Sequence, residues 1–340
     1  MARAKSIKFE MKQKLGSMEY FGHSKHELQQ LTRQEQTRLM QEGVPFEERR
    51  RVDYCKDKVF SRNTMQTYQG EVSRYGDYLA SQGLGKCGMD EASNHIQEYL
   101  DYQSNIKGLS PYSVHTSAAA LCKTFGKNLQ DYNVPKRELA HITRGKLGAV
   151  HDKYNQANPL VQQVMQANTV LGLRRNELRT LTAGSFTDNG STITMITHGK
   201  GNKVNSCVFR NPADISAVRG IIQGKQPGDR IFSTDAFRND ANYHASRAAA
   251  FQQRYQYYCD QMAQNPAAVT EYQQIIKHTF AASGRECREN LNKPYYCRGE
   301  HRASLEARGA ATVYNRTAVL MVATESHFRS DVLVQHYLTR

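Results

Sequence analysis

LGLRRNEL occupies residues 171–178 and follows a stretch, residues 160–170, in which apolar side chains recur at helical spacing. This spacing predicts a helix that leads into the pair Arg174 and Arg175. Glu177 follows three residues after Arg174, so its carboxylate can hold the local helix and orient its neighbours. An ordinary surface arginine is the alternative interpretation, because R-x-x-E-L is common by chance and becomes informative only in combination with the downstream motifs.

Three further motifs lie downstream and end on a tyrosine. GKGNK, at residues 199–203, separates two apolar stretches, and the order strand, glycine-rich turn, strand predicts a β-hairpin. YYCR lies at residues 295–298, and SHFRSDV at residues 326–332 precedes VQHYL at residues 334–338. An arginine, a lysine, a second arginine and a histidine therefore precede Tyr337 in that order.

This ordered series resembles the catalytic residues of the tyrosine recombinases, also called phage-type integrases. The stretch from residue 326 to residue 338 looks most like the integrases of integrative conjugative elements, and the resemblance extends from about residue 55 to the last residue. It implies a mainly α (α+β) fold. That fold would combine a helical, SAM-like core-binding domain with a mostly helical catalytic domain containing a small antiparallel sheet.

The resemblance gives each motif a role in breaking and resealing a DNA phosphodiester. Tyr337 would attack the phosphate and form a 3′-phosphotyrosyl bond, while Lys200 would protonate the departing 5′-oxygen. Arg174 and Arg298 would stabilise the charge on the phosphate, because a guanidinium stays protonated and its planar fork matches two oxygens. His327 would donate a hydrogen bond to a phosphate oxygen.

The second arginine motif departs from the family pattern. Most relatives have His-x-x-Arg, whereas this chain has Tyr295 at the position of the histidine. A phenol can donate a hydrogen bond there but is a poor base at neutral pH, which leaves open how the nucleophile loses its proton. His301 and Arg302 are the alternative register of this motif, and Lys203 is the alternative to Lys200 on the hairpin turn.

Composition shifts and periodicity divide the chain into four segments, at residues 1–54, 55–132, 133–147 and 148–340. The first is a basic helical extension and the third a basic linker, and the resemblance implies that the second is a core-binding domain and the fourth the catalytic domain. The extension carries an apolar stripe at three- and four-residue spacing: Ile7, Met11, Leu15, Met18 and Phe21. Its lysines form either a solvated face or an arm that contacts DNA phosphates. A polar stretch, about residues 243–287, is expected to be mostly helical but has no detailed assignment.

The charge balance indicates a polyanionic partner. The 340 residues carry 46 Lys and Arg against 32 Asp and Glu, a net charge of +14, which favours nucleic acid over an anionic membrane surface. Neither a membrane-length apolar run nor the apolar core of a signal peptide is present. Seven dispersed cysteines without a CxxC pair indicate a reducing compartment. These features lead us to expect a cytoplasmic protein, and the resemblance implies a bacterial one that associates with the nucleoid.

The function predicted from the sequence is a site-specific integrase that inserts and excises a mobile element, independent of metal, nucleotide and other cofactors. Its expected partners are double-stranded DNA at specific recombination sites and further copies of the chain in a synaptic tetramer. An accessory DNA-bending or excision factor is a further candidate, and no membrane partner is expected. A catalytically inactive DNA-binding protein of the same fold is the alternative, supported by the altered Tyr295 position. A type IB topoisomerase or a resolvase of replicon ends would keep the chemistry without the exchange.

Overall fold

The computed structural model describes residues 6–138, 158–199, 204–237, 241, 243–307, 309–326 and 329–338. The chain forms two compact units, Met1–Thr143 and Arg144–Arg340. Within the described ranges, no helix combines the length and the apolar character that a membrane crossing requires. The architecture is mainly α with a small antiparallel sheet, which confirms the fold class predicted from the sequence.

The first unit is helical, and several of its helices begin where a serine caps the free amides. Ser24, Ser61 and Ser110 each accept a hydrogen bond from the amide three residues later, and Pro111 takes the first helical position after Ser110. The helices are α1 (Ile7–Gly16), α2 (Lys25–Gln41), α3 (Phe46–Arg49), α4 (Arg62–Ser81), α5 (Met89–Asn94), α6 (Ile96–Asp101) and α7 (Pro111–Phe125). A π-helical turn, Tyr102–Ile106, extends α6.

Helix α1 packs into the core of this unit. Three side chains of its predicted stripe are almost fully buried in a hydrophobic cluster shared with α4: Ile7, Met11 and Leu15. The other two predicted members, Met18 and Phe21, lie after α1 ends at Gly16. The two backbones approach closely, because a Cβ at Gly76 of α4 would lie 2.8 Å from the Cβ of Lys8. Lys8 also pairs with Asp77 at 2.8 Å. The apolar stripe expected of residues 1–54 therefore joins α1 to the helices that come after it.

The segment expected to be a linker begins against the same unit. Gln97 and Asn133 exchange two hydrogen bonds of 2.9 and 3.2 Å, and a ring nitrogen of His115 lies 3.0 Å from the carbonyl oxygen of Pro135. Residues 139–147 of the expected linker lie outside the described residues.

The second unit combines helices with two small antiparallel sheets. Its helices are α8 (Pro159–Leu171), α9 (Arg175–Thr180), α10 (Pro212–Ile222), α11 (Tyr243–Gln264), α12 (Pro266–Ala282), α13 (Gly299–Glu306), α14 (Arg316–Ser326) and α15 (Ser330–Leu333). Its strands are β1 (Phe186–Asp188), β2 (Ile193–His198), β3 (Val204–Phe209), β4 (Tyr295–Tyr296) and β5 (Val313–Tyr314). Strands β1, β2 and β3 pair in that order, with Met195 opposite Cys207, which confirms the predicted hairpin; β4 pairs with β5.

Helices α11 and α12 occupy the polar stretch that periodicity left unassigned. Alongside apolar residues such as Phe251 and Tyr258, the buried face of α11 contains two arginines, Arg247 and Arg254, each 3% exposed. These charged side chains interrupt the apolar pattern, so the sequence underestimates how much of the helix is buried. The almost wholly buried α14 packs against α11 in the core.

Candidate active site

The first arginine motif lies at a sharp turn between α8 and α9. Gly172 ends α8 with a φ of +66°, a left-handed value that favours glycine. A Cβ here would lie 3.2 Å from the ring of Phe251, so α11 approaches the turn closely. The fully buried Asn168 accepts a hydrogen bond from the Leu173 amide and donates one to the Ser246 hydroxyl, both at 2.8 Å. Asn168 therefore fixes the turn that precedes Arg174 against the start of α11.

Arg174 is held by Glu177. Its backbone amide donates to Oε2 at 2.7 Å and its Nη1 donates to Oε1 at 2.8 Å. The Glu177 side chain is 4% exposed and that of Arg174 is 44% exposed, so the guanidinium keeps an accessible side. Arg175 has a different environment, because its guanidinium donates to the carbonyl oxygen of Phe237. Of the two arginines in the motif, Arg174 is the one beside the acid.

A further arginine, Arg247, lies against the same carboxylate. Its Nη1 is 3.3 Å from Oε2 of Glu177. Its guanidinium carbon is 5.4 Å from the ring centre of Tyr337. Burial lowers the pKa of Arg247; the Arg174 cation adds to this shift, and Tyr337 and Glu177 oppose it. The ordinary pKa of arginine is so high that Arg247 still carries its charge at neutral pH.

Tyr337 is 7% exposed and lies in a π-helical turn, Val334–Leu338, that comes after α15. The ring of Phe251 packs edge-on against it, with 5.1 Å between ring centres. Nε2 of Gln252 donates to the carbonyl oxygen of Tyr337 at 2.9 Å. Helix α11 therefore contacts both the side chain and the backbone of Tyr337 and holds the residue in place.

The backbone directly after β2, in the β2–β3 hairpin, lies close to Glu177. A Cβ at Gly199 would collide with the side-chain amide of Asn205 and lie 3.2 Å from Oε1 of Glu177. Lys200 comes directly after Gly199 in the sequence. Lys200, its alternative Lys203, and His327 lie outside the described residues.

Arg298 and Tyr295 have other surroundings. Arg298 is exposed at the start of α13, and within the described ranges its side chain makes no hydrogen bond or ion pair. Tyr295, in β4, is half-buried, and the guanidinium carbon of Arg316 lies 5.6 Å from the centre of its ring. Arg302, in the alternative register, pairs with a glutamate one turn later at 2.7 Å on the surface of α13.

Sequence reasoning missed Arg247, although a signal for it was present. His244 and Arg247 have the His-x-x-Arg spacing that was sought at residues 295–298. His244 is exposed in the first turn of α11, and Arg247 is buried one turn later. Their spacing alone would have been enough to make them candidates.

A pocket of about 250 Å³ opens beside these residues. Its polar lining combines three arginines with one glutamate and several uncharged donors: Arg174, Arg247, Arg254, Glu177, Thr197, Asn205, Ser206 and Ser326. Such a lining favours an anion with several oxygens, such as a phosphodiester. In the part of the chain that is described, no cluster of His, Cys, Asp and Glu could hold a metal ion. The arrangement can stabilise negative charge on a phosphate in the pocket, beside the arginine that contacts the ring of Tyr337.

No protein-family model matches the chain, and no curated protein matches it. Solved structures that are similar to it include XerH site-specific recombinase bound to palindromic difH substrate in a post-cleavage complex. That chain is 16% identical with a TM-score of 0.37, over 76% of this chain and 85% of that chain. The XerH pre-cleavage complex with difH is 15% identical with a TM-score of 0.37, over 74% and 85%. XerA recombinase is 15% identical with a TM-score of 0.19, over 57% and 78%.

Proposed function

We propose that the protein breaks and rejoins DNA by transesterification, with Tyr337 as the nucleophile. One cluster carries the proposal: Glu177 holds both Arg174 and Arg247, and the Arg247 guanidinium lies over the Tyr337 ring, 5.4 Å from its centre. These side chains come from three separate segments of the chain. A tyrosine that serves only packing has no need of a buried guanidinium, because removing that charge from water is costly.

In the proposed reaction, Arg174 and Arg247 bind the non-bridging oxygens of the scissile phosphate. Their charges stabilise the negative charge that develops there, and Glu177 keeps both guanidiniums in place before DNA binds. We assign the second-arginine role to Arg247 instead of Arg298. The reason is that Arg247 contacts Tyr337, whereas Arg298 lies on the exposed start of α13.

The bonds and protons of the reaction can be assigned to named groups. The Tyr337 oxygen attacks phosphorus, the bond to the 5′-oxygen breaks, and a 3′-phosphotyrosyl bond forms. The tyrosine proton passes to a base, for which we propose His244 rather than Tyr295, and Lys200 protonates the 5′-oxygen. His327 donates to a phosphate oxygen; the sequence resemblance supports the roles of Lys200 and His327. A 5′-hydroxyl of a partner strand then reverses these steps, so rejoining consumes no nucleotide.

The biological role that we propose is site-specific integration and excision of a mobile element in a bacterium. The resemblance of residues 326–338 to integrases of conjugative elements supports this role, and the net charge of +14 suits double-stranded DNA. Each active site cuts one strand, so exchange between two duplexes would use four copies of the chain.

Covalent capture on nicked DNA tests the proposal. Duplexes of randomised sequence, each with a nick, release a short 5′-hydroxyl fragment after cleavage and trap the phosphotyrosyl intermediate. We expect an adduct that survives denaturation in the parent protein and none in Tyr337→Phe. Tyr296→Phe, a change at an exposed tyrosine in β4, is the matched control and should form the parental adduct. Peptide mapping should locate the DNA on Tyr337, and sequencing the captured strands would identify the target.

Other outcomes would contradict the proposal. DNA binding without an adduct in the parent would favour a non-catalytic DNA-binding protein. An adduct that persists in Tyr337→Phe would require another nucleophile. Relaxation of supercoiled plasmid without exchange between two captured sites would keep the chemistry and replace recombination by topoisomerase activity.

A further inference from the structure

A second group of buried charges lies beside the pocket and has no part in the proposed reaction. Arg254 and Glu325 are each 3% exposed. Glu325 accepts a hydrogen bond of 2.9 Å from Arg210 and another from the Tyr258 hydroxyl. Burial raises the pKa of the Glu325 carboxyl, and the positive charges of Arg254 and Arg210 oppose that shift.

Arg254 joins three elements that surround the active site. Its Nη2 donates to the carbonyl oxygen of Val170, in the last turn of α8, at 2.6 Å. Its Nη1 donates to Sγ of Cys207, in β3, at 3.2 Å, and its Nε lies 3.9 Å from Oδ2 of Asp214 in α10. The guanidinium carbon is also 5.8 Å from the ring centre of Phe251, which packs against the nucleophile.

The elements that this group connects are those that lead to the site residues. Helix α8 leads into the turn before Arg174, and β3 is the second strand of the hairpin, with Lys200 between its two strands in the sequence. Glu325 lies in the last turn of α14, two residues before His327 in the sequence. Arg254 and Glu325 are therefore placed between three segments that must keep a fixed relation during cleavage.

Stability alone is a weak reason for this arrangement. Removing a charged group from water costs several kcal/mol, and well-packed apolar replacements of buried ion pairs are often neutral or stabilising. A guanidinium differs from an apolar side chain because its rigid fork directs several hydrogen bonds at once. It can therefore set the relative position of α8 and β3, which apolar contacts leave free to slide.

Building on the function proposed for this site, we propose that Arg254 and Glu325 are positioning residues of the active site. They hold the end of α8, strand β3 and the last turn of α14 in the geometry that cleavage requires, without touching DNA. Their loss slows the chemical step and leaves DNA affinity unchanged.

Single-turnover cleavage of captured, nicked DNA, measured together with DNA affinity and Tm, tests this role. In Arg254→Met, an apolar replacement of similar length, we expect parental DNA affinity and a cleavage rate at saturating DNA reduced by about 10–100-fold. Arg254→Lys keeps the charge without the fork and should recover part of the rate. Glu325→Gln keeps an oxygen acceptor for Arg210 and Tyr258, so it should preserve Tm and still slow cleavage.

Glu71→Gln is the matched control. Glu71 is also a buried carboxylate, 9% exposed, and it accepts a hydrogen bond of 2.6 Å from Ser117 in the first unit. This variant should cleave DNA at the parental rate. If Arg254→Met fails to fold, Arg254→Lys and Glu325→Gln decide the question.

Parental cleavage rates in the Arg254 and Glu325 variants would overturn this inference and leave the proposed function intact. Rate losses that match losses of DNA affinity or Tm would overturn it too, since a purely structural role would then suffice. A parent protein that forms no adduct would remove the proposed function and this inference with it.

Discussion

Arg247 and Arg298 differ in their surroundings, and only Arg247 has those that we expect of an arginine that binds the scissile phosphate. Arg247 is buried, paired with Glu177 and in contact with the ring of Tyr337, whereas Arg298 is exposed. Arg247→Met should slow adduct formation by about 10²–10³-fold, because a pre-positioned donor to the transition state is lost. Arg298→Met should form the adduct at a rate close to the parent's. Single-turnover assays on nicked DNA measure both rates.

Thermal unfolding of both variants separates this effect from a loss of folding. Arg247→Lys, which keeps the charge, should lie between the parent and Arg247→Met in rate. A rate loss confined to Arg298→Met would return the second-arginine role to the YYCR motif. Equal losses at both positions would contradict the assignment of that role to Arg247 alone.

Residues within one local motif could be predicted from the sequence more reliably than residues that meet through the fold. Arg174 and Glu177 lie three residues apart on one turn, and their contact follows from that spacing. The contact between Arg247 and Tyr337 joins positions 90 residues apart and depends on how α11 packs. Two motifs with similar spacing, at residues 244–247 and 295–298, were available, and only the fold distinguishes their surroundings.

Helix α1 provides a test at the scale of an element, because its sequence suits both a core helix and a DNA-binding arm. Met11 is fully buried in the first unit and Lys12, the next residue, is exposed. Met11→Ala should lower the free energy of unfolding by about 2–5 kcal/mol, since it removes buried apolar atoms and leaves a cavity. Lys12→Ala should change it by less than about 0.5 kcal/mol. Urea unfolding followed by circular dichroism measures both changes.

DNA affinity completes the comparison between the two interpretations of α1. A pure phosphate-contacting arm would tolerate Met11→Ala in the unfolding experiment and lose DNA affinity in Lys12→Ala. If α1 is a core helix, Met11→Ala should lower the free energy of unfolding. Unchanged stability in Met11→Ala would therefore contradict the packing of α1 against α4.

Elements with an unbroken apolar stripe were predicted well, and those that bury charge were not. The stripe of α1 and the helix that begins at Pro111 follow ordinary spacing and capping rules. Helix α11 buries Arg247 and Arg254 on the same face as Phe251. The two arginines interrupt the apolar stripe, so the sequence of this helix resembles that of an exposed polar segment. One of the charges that hid this helix, Arg247, binds phosphate in the proposed mechanism, and the other, Arg254, is a proposed positioning residue.

For the whole molecule, the net charge of +14 predicts DNA binding that weakens steeply with salt. Each phosphate that a cation neutralises releases counterions, so the logarithm of the binding constant falls against the logarithm of salt by about 0.9 per contact. Binding is best measured in a Tyr337→Phe background, where no covalent bond can form. Replacing a cation that contacts phosphate should reduce the slope by about one, and replacing a cation that makes no phosphate contact should leave it unchanged.

Arg174 and Arg254 are a matched pair for this measurement, because both line the pocket but have different surroundings. The Arg174 side chain is 44% exposed, whereas Arg254 directs its guanidinium at Val170 and Cys207 inside the protein. Arg174→Met should reduce the slope by about one, since one phosphate contact is lost. Arg254→Met should leave the slope as it is while slowing cleavage in the Tyr337 protein. A reduced slope for Arg254→Met would mean that this guanidinium reaches DNA, contrary to a positioning role. A slope near zero for the parent would mean that its charge does not serve a polyanion at all.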